Sequence, residues 1–316
     1  MKFLPELLVL AALSFSAHGQ QWPQKPVKVI VPFPPGGVTD AVARIAADWL
    51  TQRLGQPVVA ENRPGASGAI AAELVARAEP DGYTLLTAAA PQLAIVPHVQ
   101  KISYDPVKDF VPISIIGTNP FALGCNEKLP VTSLKELADY ARARPGALSY
   151  ASPGSGTVGH LTMELWLARA GLKMEAVLYK GGGQAVADMI AGHVPCYFGN
   201  LNELIPHAGS GRVRILATSG VQRAPQLPNV PTVAEQGYPG FRTLTWNGIV
   251  APAATPREIV ERIAHELAAA CKDAGFAARL DRIGVDPVCG GPAEFAQAIR
   301  EDLLIWKEAV QAAGIK

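Results

Sequence analysis

Two strand-to-helix turns hold the residues whose type and spacing best suit chemistry on a ligand. The first is Val31-Pro32-Phe33-Pro34-Pro35-Gly36-Gly37-Val38-Thr39-Asp40 and the second is Ala151-Ser152-Pro153-Gly154-Ser155-Gly156-Thr157-Val158-Gly159-His160. Each brings glycine-rich backbone to the start of a helix. There the first N–H groups have no intrahelical partner, and the helix dipole favours an anion. Glycine lets the main chain come close to a bound group. At the carboxyl ends of parallel strands such turns build a ligand crevice. One turn alone reads better as an ordinary tight turn; a matched pair predicts that an anion is gripped from two sides.

Other chemistries find less support. Gly154-Ser155-Gly156-Thr157-Val158-Gly159 fits the dinucleotide pattern G-x-G-x-x-G, but that site needs an acidic residue at the end of the next strand. The next strand ends at Tyr179-Lys180, and Glu175 stands at its beginning. Gly65-Ala66-Ser67-Gly68-Ala69 lacks the last glycine of a serine-hydrolase elbow, which leaves Ser67 a weak nucleophile candidate. The six histidines show no metal-ligand spacing. No catalytic residue, metal or cofactor is therefore expected. Three polar residues at strand or helix ends remain candidates. Lys180, in a third glycine-rich turn, faces either an anion or solvent. Asn200 follows a strand and offers its amide. His160 either donates to a ligand or caps its surroundings.

The elements that position these turns alternate along the chain. Val27–Val31 reads as a buried strand, Thr39 as the N-cap of a helix over Ala41–Leu54, and Val58–Ala60 as a second strand. A helix at 69–78 and a strand at 83–87 follow. Residues 105–125 are less regular. Further on come a helix at 132–143, a strand at 148–151, helices at 158–170 and 184–191, and strands at 176–179, 196–198 and 212–218. Residues 221–240 read as a proline-rich surface connection, and 246–250 as an extended segment. Helices at 256–272, 276–283 and 293–312 complete the chain, with a short strand near Val285–Val288. This alternation predicts an α/β fold with a parallel sheet covered on both faces.

The chain has 316 residues, enough for two domains at about 150 residues each. Its formal net charge of +1 excludes the basic field of a nucleic-acid binder. Residues 1–19 read as a signal peptide: Lys2, an apolar run from Leu7 to Leu13 too short to span a bilayer, then small residues at Ala17-His18-Gly19.

Several segments together resemble one family. They are Val31–Gly37 with Asp40, Glu61–Gly68, Asp81–Leu86, Ser152–Gly156 with His160-Leu161, Tyr179–Gly181 and Leu227–Glu235. In order and spacing they are similar to the Bug-type receptors, the substrate-binding components of tripartite tricarboxylate transporters, over essentially the whole mature chain. The resemblance implies a two-domain type II periplasmic-binding-protein fold with the ligand in the inter-domain cleft. It further implies a small organic carboxylate as ligand, membrane permease subunits as partners and a periplasmic location; a monomer is expected. Carried onto this sequence, the carboxylate is gripped by the turns Phe33–Thr39 and Ser152–Thr157. Backbone donors fall near Gly36, Gly37, Val38 and Gly156, and side-chain contacts near Ser155, Thr157 and His160. Val38, Ala88-Ala89-Ala90-Pro91-Gln92 and Pro195-Cys196 depart from the family pattern and predict a less polar pocket.

The βα pattern breaks near 119–125 and 241–250, which places domain one at 22–122 plus 247–316 and domain two at 123–246. Cys125, Cys196, Cys271 and Cys289 allow three disulfide connectivities or free thiols. If bridges form, a cleft that closes requires them within domains: Cys125 with Cys196, and Cys271 with Cys289. Competing functions are an exported hydrolase or isomerase using the same cleft, which needs a nucleophile or base held by an orienting partner, and a sensory subunit reporting to a membrane kinase.

Overall fold

The computed structural model describes residues 22–315, and the expected signal segment lies outside them. The first elements are β1 (Val27–Val31), α1 (Val38–Leu54), β2 (Val58–Asn62), α2 (Ala69–Ala76), β3 (Thr84–Ala89) and the short α3 (Val96–Val99). They lead into β4 (Phe110–Asn126). Next come α4 (Leu134–Arg142), β5 (Ser149–Ser152), α5 (Val158–Ala170), β6 (Glu175–Leu178), α6 (Gly182–Ala191), β7 (Cys196–Asn200), α7 (Leu201–Ala208) and β8 (Val213–Thr218). The chain ends with β9 (Leu244–Pro252), α8 (Arg257–Ala270), α9 (Ala274–Asp281), β10 (Asp286–Gly290) and α10 (Pro292–Ala312).

The strands lie in the order β2-β1-β3-β9-β4-β7-β5-β6, with β10 and β8 also paired to β4. β1 runs parallel to β2 and β3, and β5 parallel to β6 and β7. β9, β4, β8 and β10 pair antiparallel, so the sheet is mixed where a parallel one was expected. The largest departure is β4. Its 17 residues fill the stretch that looked irregular in sequence. Pro112 and Pro120 hide the pattern there, since proline cannot donate to a ladder. Register shifts on either side of Ser114 absorb the disruption. From Phe110 to Pro120 the strand pairs with β9; from Phe121 onward it pairs with β7 and β8. A single strand therefore runs through two halves of an α/β sheet.

Both faces of the sheet are covered, because successive residues of a strand point to opposite sides. In β1, Val27 and Val29 join one buried cluster with α1, α8 and α9, while Ile30 joins the other with α2. In β9, Ile249 and Ala251 take the first side, Trp246 and Val250 the second. The second cluster runs on through both halves, carrying Leu123 of β4, Trp166 of α5 and Phe295 and Trp306 of α10. Arg169 of α5 also makes a two-pronged ion pair with Glu308 of α10, at 3.0 and 2.8 Å.

Two disulfides tie the chain, Cys125 to Cys196 between β4 and β7, and Cys271 to Cys289 between the end of α8 and β10. They close separations of 71 and 18 residues, worth about 4 and about 3 kcal/mol in the chain-entropy account. Cys125 and Cys196 are at most 1% exposed, whereas Cys271 reaches the surface. Mild reductant should therefore open Cys271–Cys289 first and leave Cys125–Cys196 closed until the fold opens. Alkylation of released thiols followed by peptide mapping checks the order. Chemical denaturation of the two reduced forms checks the size of each loss.

Candidate functional site

A cleft of about 470 Å³ lies between the two sheet halves. On one side stand Phe33, Val38 and Thr39, at the turn from β1 into α1. On the other stand Ser155, Gly156, Thr157, Val158 and Gly159, at the turn from β5 into α5. Asn200, at the end of β7, joins them.

The two turns are built alike. Gly36 and Gly156 both sit at positive φ, +90° and +70°, which glycine adopts without strain. The next residues, Gly37 and Thr157, are the extended N-caps of α1 and α5. Three residues beyond each cap a buried side chain turns back. Asp40 Oδ2 accepts the Gly36 N–H at 3.0 Å, and His160 Nδ1 accepts the Gly156 N–H at 3.2 Å. Of the N–H groups that follow, that of Thr157 donates to the Gly154 carbonyl at 3.4 Å and the rest are left open. Among the described residues, none accepts from Gly37, Val38 or Thr39, or from Val158 or Gly159. The first turn of a helix cannot satisfy these donors itself.

Supporting bonds hold each turn rigid. Asp40 also accepts from Arg44 Nε at 3.0 Å, a second Arg44 nitrogen at 2.9 Å and Asn62 Nδ2 at 2.8 Å. Asn62 Nδ2 donates as well to the Phe33 carbonyl at 2.9 Å. Burial pushes the Asp40 carboxyl upward, but the bonds from Arg44, Gly36 and Asn62 outweigh it and bring its pKa down to about 2. In the second turn the Thr157 hydroxyl donates to the Gly154 carbonyl at 2.8 Å, and Ser152 Oγ donates to the same carbonyl at 3.1 Å. His160 stacks on Tyr150, and burial lowers its pKa so that the ring stays neutral.

This geometry revises several expectations. Thr39 is not the N-cap but the second residue of α1. The Gly36 and Gly156 N–H groups, expected to hold a ligand, are engaged by Asp40 and His160. Ser152, Thr157 and His160 use their polar groups to shape the turn rather than face the cleft freely. Lys180 is exposed and stands outside the lining, where its neighbour Gly182 is found instead.

Other lining residues escaped the sequence. Pro91, Ile95, Val96 and Val99 give an apolar wall around α3. Asn119 and Phe121 come from β4, and Thr245 and Asn247 from β9. Tyr197 comes from β7 and Glu203 from α7, a helix with an internal Pro206 that the sequence pattern did not reveal. Burial, then Glu203, keeps the Tyr197 phenol protonated, and it donates to Glu203 Oε2 at 2.7 Å. Ser67 also lines the cleft at positive φ, but among the described residues no histidine or carboxylate bonds to it. No group of three or more His, Cys, Asp or Glu is placed to hold a metal among those residues.

The profile of the TctC family, described as the tripartite tricarboxylate transporter family receptor, matches residues 42–315. The chain belongs to this receptor family. Protein BugT of Bordetella pertussis is 34% identical over 311 residues, covering 98% of this chain and 95% of its own. Among solved structures, Rpa4515 of R. palustris with adipate is 36% identical, covers 93% of this chain and 99% of its own, and superposes with a TM-score of 0.75. MatC of Rhodopseudomonas palustris with malate gives 31%, 92%, 100% and 0.72 in the same order. A TctC solute-binding protein from Polaromonas with no ligand gives 25%, 92%, 99% and 0.84. The receptor family accounts for the two-domain α/β architecture of periplasmic binding proteins seen here.

Two measurements probe the turns. Asp40 has a folded pKa below its unfolded value of 3.8. Its stabilisation is thus complete above about pH 4 and fades as pH falls toward 2, worth about 2 kcal/mol at neutrality and about half that at pH 3. Asp40→Asn should lose this amount in urea unfolding at pH 7 and less at pH 3. His160 also titrates below its ordinary value. Its contribution is present above the ordinary imidazole range and is lost as acid protonates Nδ1 against the Gly156 N–H. Unfolding curves should show acid weakening that is flattened in His160→Asn, which keeps an acceptor but cannot titrate.

Proposed function

We propose that this receptor is exported to the periplasm and binds a small organic carboxylate in its cleft without transforming it. On closure it presents the ligand to the permease subunits of a tripartite transporter. The observation that carries the reading is the pair of open helix starts on opposite walls, at Gly37-Val38-Thr39 and Val158-Gly159. Such donors, aided by two helix dipoles, suit a carboxylate with no lysine or arginine in the lining among the described residues. The adipate in the structure of R. palustris Rpa4515 and the malate bound to MatC of the same species support the ligand class.

The reading sets the domains at 22–122 plus 247–316 and 123–246. Its support is that β4 changes partners after Pro120 and β9 begins at Leu244.

Val38 and Val158 offer a clean test. Each is the first residue of its helix, where proline is tolerated and removes only the N–H. The preceding Gly37 and Thr157 are already extended, as proline requires of its neighbour. Val38→Pro and Val158→Pro should fold normally by circular dichroism and keep most of the apolar wall. Each should weaken carboxylate binding by about 1.5–3 kcal/mol, the worth of one charge-assisted hydrogen bond. Calorimetric titration, after a thermal-shift screen of organic acids, measures it. Parent-like affinity in both folded variants would show that the ligand does not sit between the helix starts.

A further inference from the structure

We propose that the ligand carries an amine as well as its carboxylate, a zwitterion of the amino-acid class, and that Glu203 receives the ammonium. This rests on the receptor reading for the seat of the carboxylate. Among the described residues, Glu203 is the one charged side chain in the cleft lining. Its neighbours do not neutralise it: Tyr197 donates to Oε2 at 2.7 Å and the Asn200 amide lies 3.4 Å from Oε1, and among the described residues no lysine, arginine or histidine pairs with it. The surrounding chain leaves room for this pair. A Cβ on Gly182 would lie 2.4 Å from Glu203 Oε1, and one on Gly199 would lie 2.0 Å from the Tyr197 ring.

A second acceptor points the same way. Asn119 Nδ2 donates to the Gly284 carbonyl, which turns Asn119 Oδ1 toward Asn247 Nδ2 at 3.3 Å. That chain fixes the Asn247 amide and leaves its Oδ1 buried with no donor among the described residues, in a residue that lines the cleft and is 0% exposed. The cleft thus offers donors at the two helix starts and a carboxylate elsewhere, and one lining residue, Asn247, carries a buried amide oxygen without a partner among the described residues. An ammonium group has three donors for such acceptors. A second carboxylate would bring none and would meet the charge of Glu203 in a partly desolvated site, which selects against dicarboxylates.

The test uses the full mature protein and defined probes. The standard α-amino acids and straight-chain ω-amino acids are titrated calorimetrically, each against the monocarboxylate and dicarboxylate of matched length, in the parent and in Glu203→Gln. The tightest probe should be a zwitterion, at least tenfold tighter than its matched dicarboxylate, and Glu203→Gln should erase that ratio. A dicarboxylate that binds the parent as tightly as its matched amino acid overturns the ammonium assignment and leaves the receptor reading standing. A preference that survives in Glu203→Gln does the same. The parent comparison decides the matter even if the variant fails to fold. Absence of binding by every carboxylate probe to folded protein overturns both readings.

Discussion

A helix leaves its first N–H groups without partners, and that constraint organises this protein's cleft. In both turns the answer is the same. A positive-φ glycine hands its N–H to a side chain four residues on, Asp40 or His160, and the donors of Gly37, Val38, Thr39, Val158 and Gly159, all at or beside the cleft, find no acceptor among the described residues. The inward side chain accepts from the glycine and from none of the helix-start donors, so each turn is fixed in shape while those donors remain free among the described residues. One turn uses a carboxylate held ionised by Arg44 and Asn62; the other uses an imidazole held neutral by burial. Two unlike residues thus perform one geometric task, because what the turn needs is an acceptor at a fixed place.

The second constraint is the strand that links the halves. β4 must leave β9 and join β7 and β8 without ending, and Pro120 marks the handover. Around it the buried cluster continues through α5 and α10, and the Arg169–Glu308 pair joins the same two helices. The disulfides respect this division: Cys125–Cys196 pins β4 to β7 on one side, and Cys271–Cys289 pins α8 to β10 on the other. Neither bridge ties one half to the other, so the separation that a binding cleft needs is left to noncovalent packing.

Much of this was legible in the chain. The span Val158–Ala170 was read with both ends correct, because Thr157 before it and Gly171 after it are strong helix boundaries. The two glycine-rich turns declared themselves by composition and by their place after buried strands. β4 did not, because its prolines and bulges erase the period that sequence reading relies on. α7 did not, because it is short and contains Pro206.

The sequence by itself determined most of the elements, though not β4 or α7, together with the α/β class, the family and the two turns, since each of these depends on local periodicity, capping and motif order. Only the tertiary structure decided which donors stay open. Gly36 and Asp40 are near in sequence, but whether the Asp40 carboxylate accepts from Gly36 depends on Asn62 and Arg44 holding it in place. Only the tertiary structure brought Tyr197, Glu203, Asn119 and Asn247 to the same cleft, because they come from β7, α7, β4 and β9, and sheet order is a long-range property. Local rules fix what a segment becomes; which side chains share a space is set by packing between segments far apart in the chain.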